Sequence, residues 1–208
     1  MKIKNLILDL GGVLFDLDYL KTQEAFAKLG LRDSFSQLKQ SSLFDDIEEG
    51  KVSSAFFVNA LISLSSSKSI NPQQIIDAWN AMLLGMPAEK FELLDLLADK
   101  YNLYLYSNTN EIHIKEVWKH YREVHKIDNL NDYFLKVYLS NDMNIRKPKT
   151  EGFNLIIKDN NLIKTETMFI DDSPQHVKGA IASGIHGLWL DLKKEDLNSL
   201  LVRNGLLT

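Results

Sequence analysis

The 208-residue sequence predicts an α/β protein: a parallel sheet interleaved with helices, interrupted after its first strand by an all-helical insertion. Three observations carry this expectation. Short apolar runs recur at residues 6–8, 103–106, 168–170 and 188–190, with a mostly apolar run at 136–139, as strands of a buried parallel sheet do. From residue 88 onward these runs alternate with amphipathic stretches long enough to cross over between parallel strands. Between the first run and residue 87 the chain carries only helical patterning, which simple strand–helix alternation does not accommodate.

Taken in order, the run Leu6-Ile7-Leu8 is too short for an independent helix and delivers Asp9 into Gly11-Gly12. It reads as a first strand whose carboxyl end lies at Asp9, the edge where ligands bind in open α/β sheets. The insertion, residues 16–86, is expected to be helical throughout, with helices over 19–29, 34–43, 53–64 and 72–84. Gly30, Gly50 and the serines at 65–67 break it, and Asn71-Pro72 supplies a cap followed by proline at the first helical position. A helix over 88–101 carries Phe91, Leu94 and Leu97 on one stripe and precedes the second strand. That strand ends in Ser107-Asn108-Thr109-Asn110, and a helix over 111–125 follows. The third strand leads to Arg146-Lys147-Pro148-Lys149, where Pro148 is expected in the first turn of a helix bearing Phe153, Ile156 and Ile157. The fourth ends in Asp171-Asp172-Ser173-Pro174, followed by a helix over 176–183 with Gly184 as its C-terminal cap. A fifth strand and a closing helix over 195–202 complete the chain. The division expected is a core of residues 1–15 and 87–208 and a cap of residues 16–86.

Composition narrows the function classes. With 45% apolar and 25% charged residues the chain has ordinary globular composition, and its formal charge of -4 provides no basic face for nucleic acid. The absence of cysteine excludes disulfides, thiolate metal sites and thiol nucleophiles. No apolar run approaches the ~20 residues of a membrane helix, and the amino terminus lacks a signal-peptide pattern. A cytoplasmic protein without nucleic-acid or membrane partners is expected.

The polar residues at the strand ends converge on one sheet edge. Mg²⁺, a hard cation, takes a few carboxylate and carbonyl oxygens, and Asp9, the Gly11 carbonyl and Asp172 form a reasonable set, with Asp171 in support. Ser107 and Asn108 can donate to phosphate oxygens, helped by the N–H groups opening the next helix. Lys147 adds a compact positive charge that neutralises phosphate and keeps Asp9 ionised. The chemistry this implies is that of a small phosphorylated substrate beside a metal ion.

Leu8-Asp9-Leu10-Gly11-Gly12-Val13, Ser107-Asn108, Lys147-Pro148 and Phe169-Ile170-Asp171-Asp172, in this order and with the helical insertion after the first, resemble the four motifs of the haloacid dehalogenase-like hydrolase superfamily. The resemblance covers nearly the whole chain. It implies a Rossmann-like sheet in the order 5-4-1-2-3 under a helical cap. It further implies Asp9 as a nucleophile forming an aspartyl-phosphate, Ser107 and Asn108 on the phosphoryl oxygens, Lys147 stabilising charge, and Mg²⁺ on Asp9, the Gly11 carbonyl and Asp172. The function implied is a phosphatase of small phosphorylated metabolites, with sugar phosphates suggested by the similarity to the alpha-glucose-1-phosphatase-like branch.

The position two residues after the nucleophile departs from the superfamily's phosphatases, which place there the aspartate that protonates the leaving group. Glycine cannot transfer a proton. Gly11 therefore admits two alternatives, a dehalogenase-type hydrolase attacking carbon and a weakly active binding or regulatory protein retaining the fold. Asp16 and Asp18 follow at a spacing that offers a substitute acid, although their place at the cap entry favours solvated side chains.

Overall fold

The computed structural model describes residues 2–32, 35–36, 39–40, 42–67, 69–126 and 130–207. In chain order the elements are β1 (Asn5–Leu8), β2 (Asp16–Leu17), α1 (Tyr19–Lys28), β3 (Phe35–Ser36), β4 (Lys39–Gln40), α2 (Ser42–Glu48), α3 (Ser54–Leu64), α4 (Pro72–Asn80), β5 (Leu83–Gly85) and α5 (Ala88–Ala98). There follow β6 (Asn102–Ser107), α6 (Glu111–His120), β7 (Lys136–Leu139), α7 (Ser140–Met143), α8 (Thr150–Asp159), β8 (Thr167–Asp171), α9 (Pro174–Ala182), β9 (His186–Trp189) and α10 (Leu197–Arg203).

The five longer strands expected from the apolar runs form one parallel sheet in the order β7-β6-β1-β8-β9, which is the predicted 5-4-1-2-3 read from the other edge. Alternating side chains bury both faces. Leu6, Leu8, Leu103 and Leu105 pack against α5, α6 and α10 through Leu94, Leu97, Val117 and Leu200. Ile7, Tyr104, Tyr106 and Phe169 pack against α8 and α9 through Phe153, Ile156 and Ala180. Each such side chain taken fully from water contributes about 1.5–3 kcal/mol, so the central strand is held from both sides. A separate apolar core inside the helical cap gathers Phe26, Phe44, Phe57, Leu61, Ile75 and Trp79.

The segment after β1 is not helical throughout. The helix expected over 34–43 is absent where the chain is described: Phe35–Ser36 and Lys39–Gln40 pair antiparallel, while residues 34, 37, 38 and 41 lie outside the described set. The helix begins instead at Ser42, where Phe44 and Ile47 point into the cap core. The helix expected over 72–84 ends at Asn80. The buried Thr22 hydroxyl donates to the Trp79 carbonyl at 3.1 Å and accepts from the Met82 amide at 3.1 Å, drawing the chain out of the helix. Residues 83–85 then pair antiparallel with β2, forming a two-stranded ribbon between cap and core.

Other boundaries shift by smaller amounts. α6 ends at His120 and continues as a single π turn, Tyr121–His125. Pro148 precedes α8 rather than opening it, because the backbone around Lys147 is held elsewhere, as described below. α9 opens at Pro174, and Gly184 follows its last turn with φ +93°, as expected of a helix-terminating glycine.

Candidate active site

The four motifs meet at the carboxyl edge of the sheet. The Asp9 amide still donates to the Ile170 carbonyl at 3.0 Å, so the carboxylate leaves the sheet directly from its central strand. The chain then turns on itself, with the Leu14 and Phe15 amides donating to the Leu10 carbonyl and the Gly12 amide to that of Phe15. Gly12 has φ +76°, and a Cβ there would lie 2.5 Å from Asp172 Oδ2. Only glycine fits both that backbone and the carboxylate behind it. A Cβ on Gly11 would meet only the movable end of Leu17, so position 11 is not glycine for the same reason.

Lys147 is the centre of the arrangement. Its Nζ is fully buried and donates to Asp9 Oδ1 at 2.7 Å, Asp171 Oδ2 at 2.7 Å and the Tyr106 carbonyl at 3.0 Å. Asn108 fixes its backbone from both sides, accepting from the Lys147 amide at 2.8 Å and donating to the Lys147 carbonyl at 3.1 Å. The next carbonyl, that of Pro148, packs against Gly179 so closely that a Cβ there would lie 2.2 Å away. Asp171 is anchored in turn by the Ser173 amide at 2.7 Å and by His176 Nδ1 at 3.0 Å.

Electrostatics follow from this packing. Burial alone would lower the Lys147 ammonium, but the Asp171 and Asp9 carboxylates hold it above the usual lysine range. Against its burial, Asp171 is pulled down to about 2 by Lys147 and His176. Burial pushes Asp9 up to about 7, Lys147 counteracting while Asp171 and Asp172 add to the rise. Burial and the neighbouring Asp171 likewise push Asp172 up to about 6. Asp9, Asp171 and Asp172 each bring an oxygen within 4.8 Å of the others. Three carboxylates against one ammonium leave negative charge uncompensated, the condition under which a buried site takes a cation. All the donors are oxygens, which suits a hard divalent ion, and Asp171 already serves Lys147.

Ser107 ends β6 and is buried at the cavity floor beside Asn108. Two residues on, Asn110 caps α6 by accepting from the Ile112 and His113 amides, both at 3.1 Å. The cavity measures about 730 Å³, room for a small metabolite. Asp9, Gly11, Ser107, Asn108 and Asp172 line it from the core, and Tyr19, Glu48, Trp79 and Met82 from the cap. His113, on α6, donates from Nε2 to the Trp79 carbonyl at 3.2 Å, and burial holds its imidazole down at about 4, hence neutral.

Asp9, Gly11, Ser107, Asn108, Lys147 and Asp172 are therefore brought together as the sequence suggests, with Asp171 directly behind them. Asp16 and Asp18 are not at the cavity: Asp16 is exposed, and Asp18 caps α1 by accepting from the Leu20 amide at 3.0 Å. Lys149 is half-exposed and ion-paired to Glu49 rather than free in solvent. Sequence reasoning missed the His176 contact to Asp171 and the side-chain task of Asn108. It also missed Glu48, which sits in a run of four acids and carries no local signal separating it from a solvated face.

Set beside known proteins, the chain belongs to the haloacid dehalogenase-like hydrolase family, whose model matches residues 90–190. A D-ribitol-5-phosphate phosphatase of Bacteroides thetaiotaomicron is 35% identical over 179 residues, 84% of this chain and 85% of that protein. A family enzyme from the same organism, crystallised with magnesium and inorganic phosphate, superposes with TM-score 0.85 at 36% identity, covering 95% of this chain and 98% of that one. A predicted haloacid dehalogenase-like family hydrolase from Porphyromonas gingivalis superposes with TM-score 0.86 at 33% identity, covering 98% of both chains. The chain is thus a hydrolase of this superfamily, with the helical cap inserted after its first strand.

Proposed function

We propose that the protein is a magnesium-dependent phosphatase of small phosphorylated polyols or sugars, working through an aspartyl-phosphate on Asp9. The observation that carries this reading is Lys147 Nζ, buried between Asp9 and Asp171 beside a third carboxylate, Asp172. The catalytic core is residues 1–15 and 87–208, and the cap that closes over the substrate is residues 16–86. The relatives' magnesium, phosphate and pentitol-phosphate substrate support the cofactor and the substrate class.

Asp9, the Gly11 carbonyl and Asp172 hold the ion, which neutralises phosphate charge and lowers the cost of bringing two anions together. Asp9 attacks phosphorus with its free oxygen while Lys147 keeps the other oxygen and Asp171 in register. The Ser107 hydroxyl takes a phosphoryl oxygen, a neutral donor aimed at charge that moves during transfer. Asn108 acts one step back, positioning Lys147. The cap walls keep bulk water away, so each of these contacts acts in a low-dielectric space.

The test is turnover of a panel of pentitol, sugar and aryl phosphates, with and without Mg²⁺. Release of phosphate that requires Mg²⁺ is the expected result. Halide release from 2-haloacids without Mg²⁺, and no phosphate release, would overturn it in favour of attack on carbon.

A further inference from the structure

The phosphatase reading leaves one task unassigned: Gly11 offers no proton to the departing oxygen, and Asp16 and Asp18 are outside the cavity. We propose that Glu48, presented by the cap, protonates the leaving oxygen and afterwards takes the proton of the water that hydrolyses the phosphoenzyme. This rests on the phosphatase reading and assigns its missing acid and base.

Glu48 ends α2 and lines the same cavity as Asp9 and Asp172. It is held by the core as well as the cap. The Ser140 hydroxyl, at the end of β7, donates to the Glu48 carbonyl at 2.6 Å, and Asn144 Nδ2 donates to the Glu49 carbonyl at 2.9 Å. Gly50, with φ +65°, brings the cap backbone so near Asn141 that a Cβ would lie 2.2 Å from the Asn141 carbonyl oxygen. Three successive residues of the cap backbone, 48–50, are thus docked on the core, which fixes the segment that carries the Glu48 carboxyl.

Its carboxylate is ion-paired to the core: Glu48 Oε2 lies 2.8 Å from Arg146 Nη2, and Arg146 also pairs with Asp45, so the carboxyl is held on the wall of the cavity that Arg146 lines as well. Tyr19, from α1, lines the same cavity as Glu48, Asp9 and Asp172.

The proton affinity suits the task. The charged groups around Glu48 are Asp45 and Glu49 from its own helix and the following residue, Arg146 and Lys147 from the core loop, and the Tyr19 phenol from α1. Burial outweighs Arg146 and Lys147 and pushes the carboxyl up to about 7, where a group can give a proton and take it back near neutrality.

The step balances. As the Asp9 oxygen bonds to phosphorus and the ester P–O bond breaks, the alkoxide takes the Glu48 proton and leaves as alcohol. The Glu48 carboxylate then removes a proton from water as the water oxygen attacks phosphorus, freeing the Asp9 carboxylate and phosphate and restoring the Glu48 acid.

Rapid mixing of the Mg²⁺-loaded enzyme with 4-nitrophenyl phosphate and with a pentitol phosphate tests it. Glu48→Gln should release one equivalent of 4-nitrophenol at the wild-type rate and then stall, because that leaving group needs no proton but the second step needs the base. On the pentitol phosphate its first turnover should slow about a hundredfold or more, the usual worth of a general acid. Glu48→Asp, which keeps a carboxyl, should regain part of the loss. Wild-type behaviour on both esters, or equal slowing of the first turnover on both, would overturn the assignment. A wild-type enzyme inert toward both esters would instead overturn the phosphatase reading on which it rests.

Discussion

Lys147→Met removes the ammonium while keeping most of its buried stem, and leaves Asp9 and Asp171 facing one another where both had been 2.7 Å from a cation. Both carboxylates are buried, so water cannot replace the lost charge. Breaking a buried pair by removing one partner costs about 3–5 kcal/mol, and that is the loss of stability expected at neutral pH without metal. Protonating one of the two carboxylates relieves the repulsion, so the deficit should shrink as the pH falls toward 5. In the Mg²⁺-loaded enzyme the same change should lower kcat/KM by about a hundredfold or more, as loss of a preorganised charge contact does. Lys149→Ala is the control. That lysine is half-exposed and its partner Glu49 retains Lys51 at 2.6 Å, so the expected cost is under about 1 kcal/mol. Urea unfolding at pH 5 and 7.5 with parallel kinetics makes the comparison. A Lys147→Met protein as stable as wild type at pH 7.5, or equal kinetic losses in the two variants, would refute the reasoning.

Asp172→Asn should weaken Mg²⁺ binding by at least about tenfold in calorimetric titration, since the hard ion loses one of its carboxylates; Asp171→Asn should act mainly on stability, through Lys147. Metal-free protein should lose stability as pH rises from about 4 to about 7. Asp9 and Glu48, raised to about 7, and Asp172, raised to about 6, bind protons in the folded state that the unfolded chain has released. His113, depressed to about 4, and His120, also lowered, act in the opposite sense, and three carboxyls outweigh them. Saturating Mg²⁺ should flatten this fall, because it binds the ionised carboxylates. Urea midpoints across that range measure it, and metal-free stability that climbs with pH would contradict the charge assignment.

What was legible in the sequence depended on how local its cause is. The five core strands are short apolar runs whose burial is their own signal, and the motif residues at their ends fall on one edge by topology alone. The helix expected over 34–43 failed because the chain pairs Phe35 with Gln40 and Ser36 with Lys39, a partnership across the chain that a helical pattern does not register. The β2–β5 ribbon depends on Thr22 meeting Trp79 and Met82 far along the chain, which no local pattern encodes. Asn108 shows the same limit within the site. Its position was legible, but its engagement with the Lys147 backbone is a contact between residues 39 apart. Glu48 was illegible for a further reason: nothing in Asp45-Asp46-Ile47-Glu48-Glu49 tells which acid faces the cavity, and only docking on Ser140 and Asn144 decides it.

The central claim is that Asp9 is the nucleophile, and Asp9→Asn tests it most directly. The amide keeps the size of the side chain and one acceptor for Lys147 Nζ, which lies 2.7 Å from the carboxylate. With the fold checked by circular dichroism, phosphate release from the best ester of the panel should fall by at least about 10⁴-fold in saturating Mg²⁺, because an amide cannot form the covalent intermediate. A folded Asp9→Asn protein that still turns over phosphate esters within about tenfold of wild type would contradict the account.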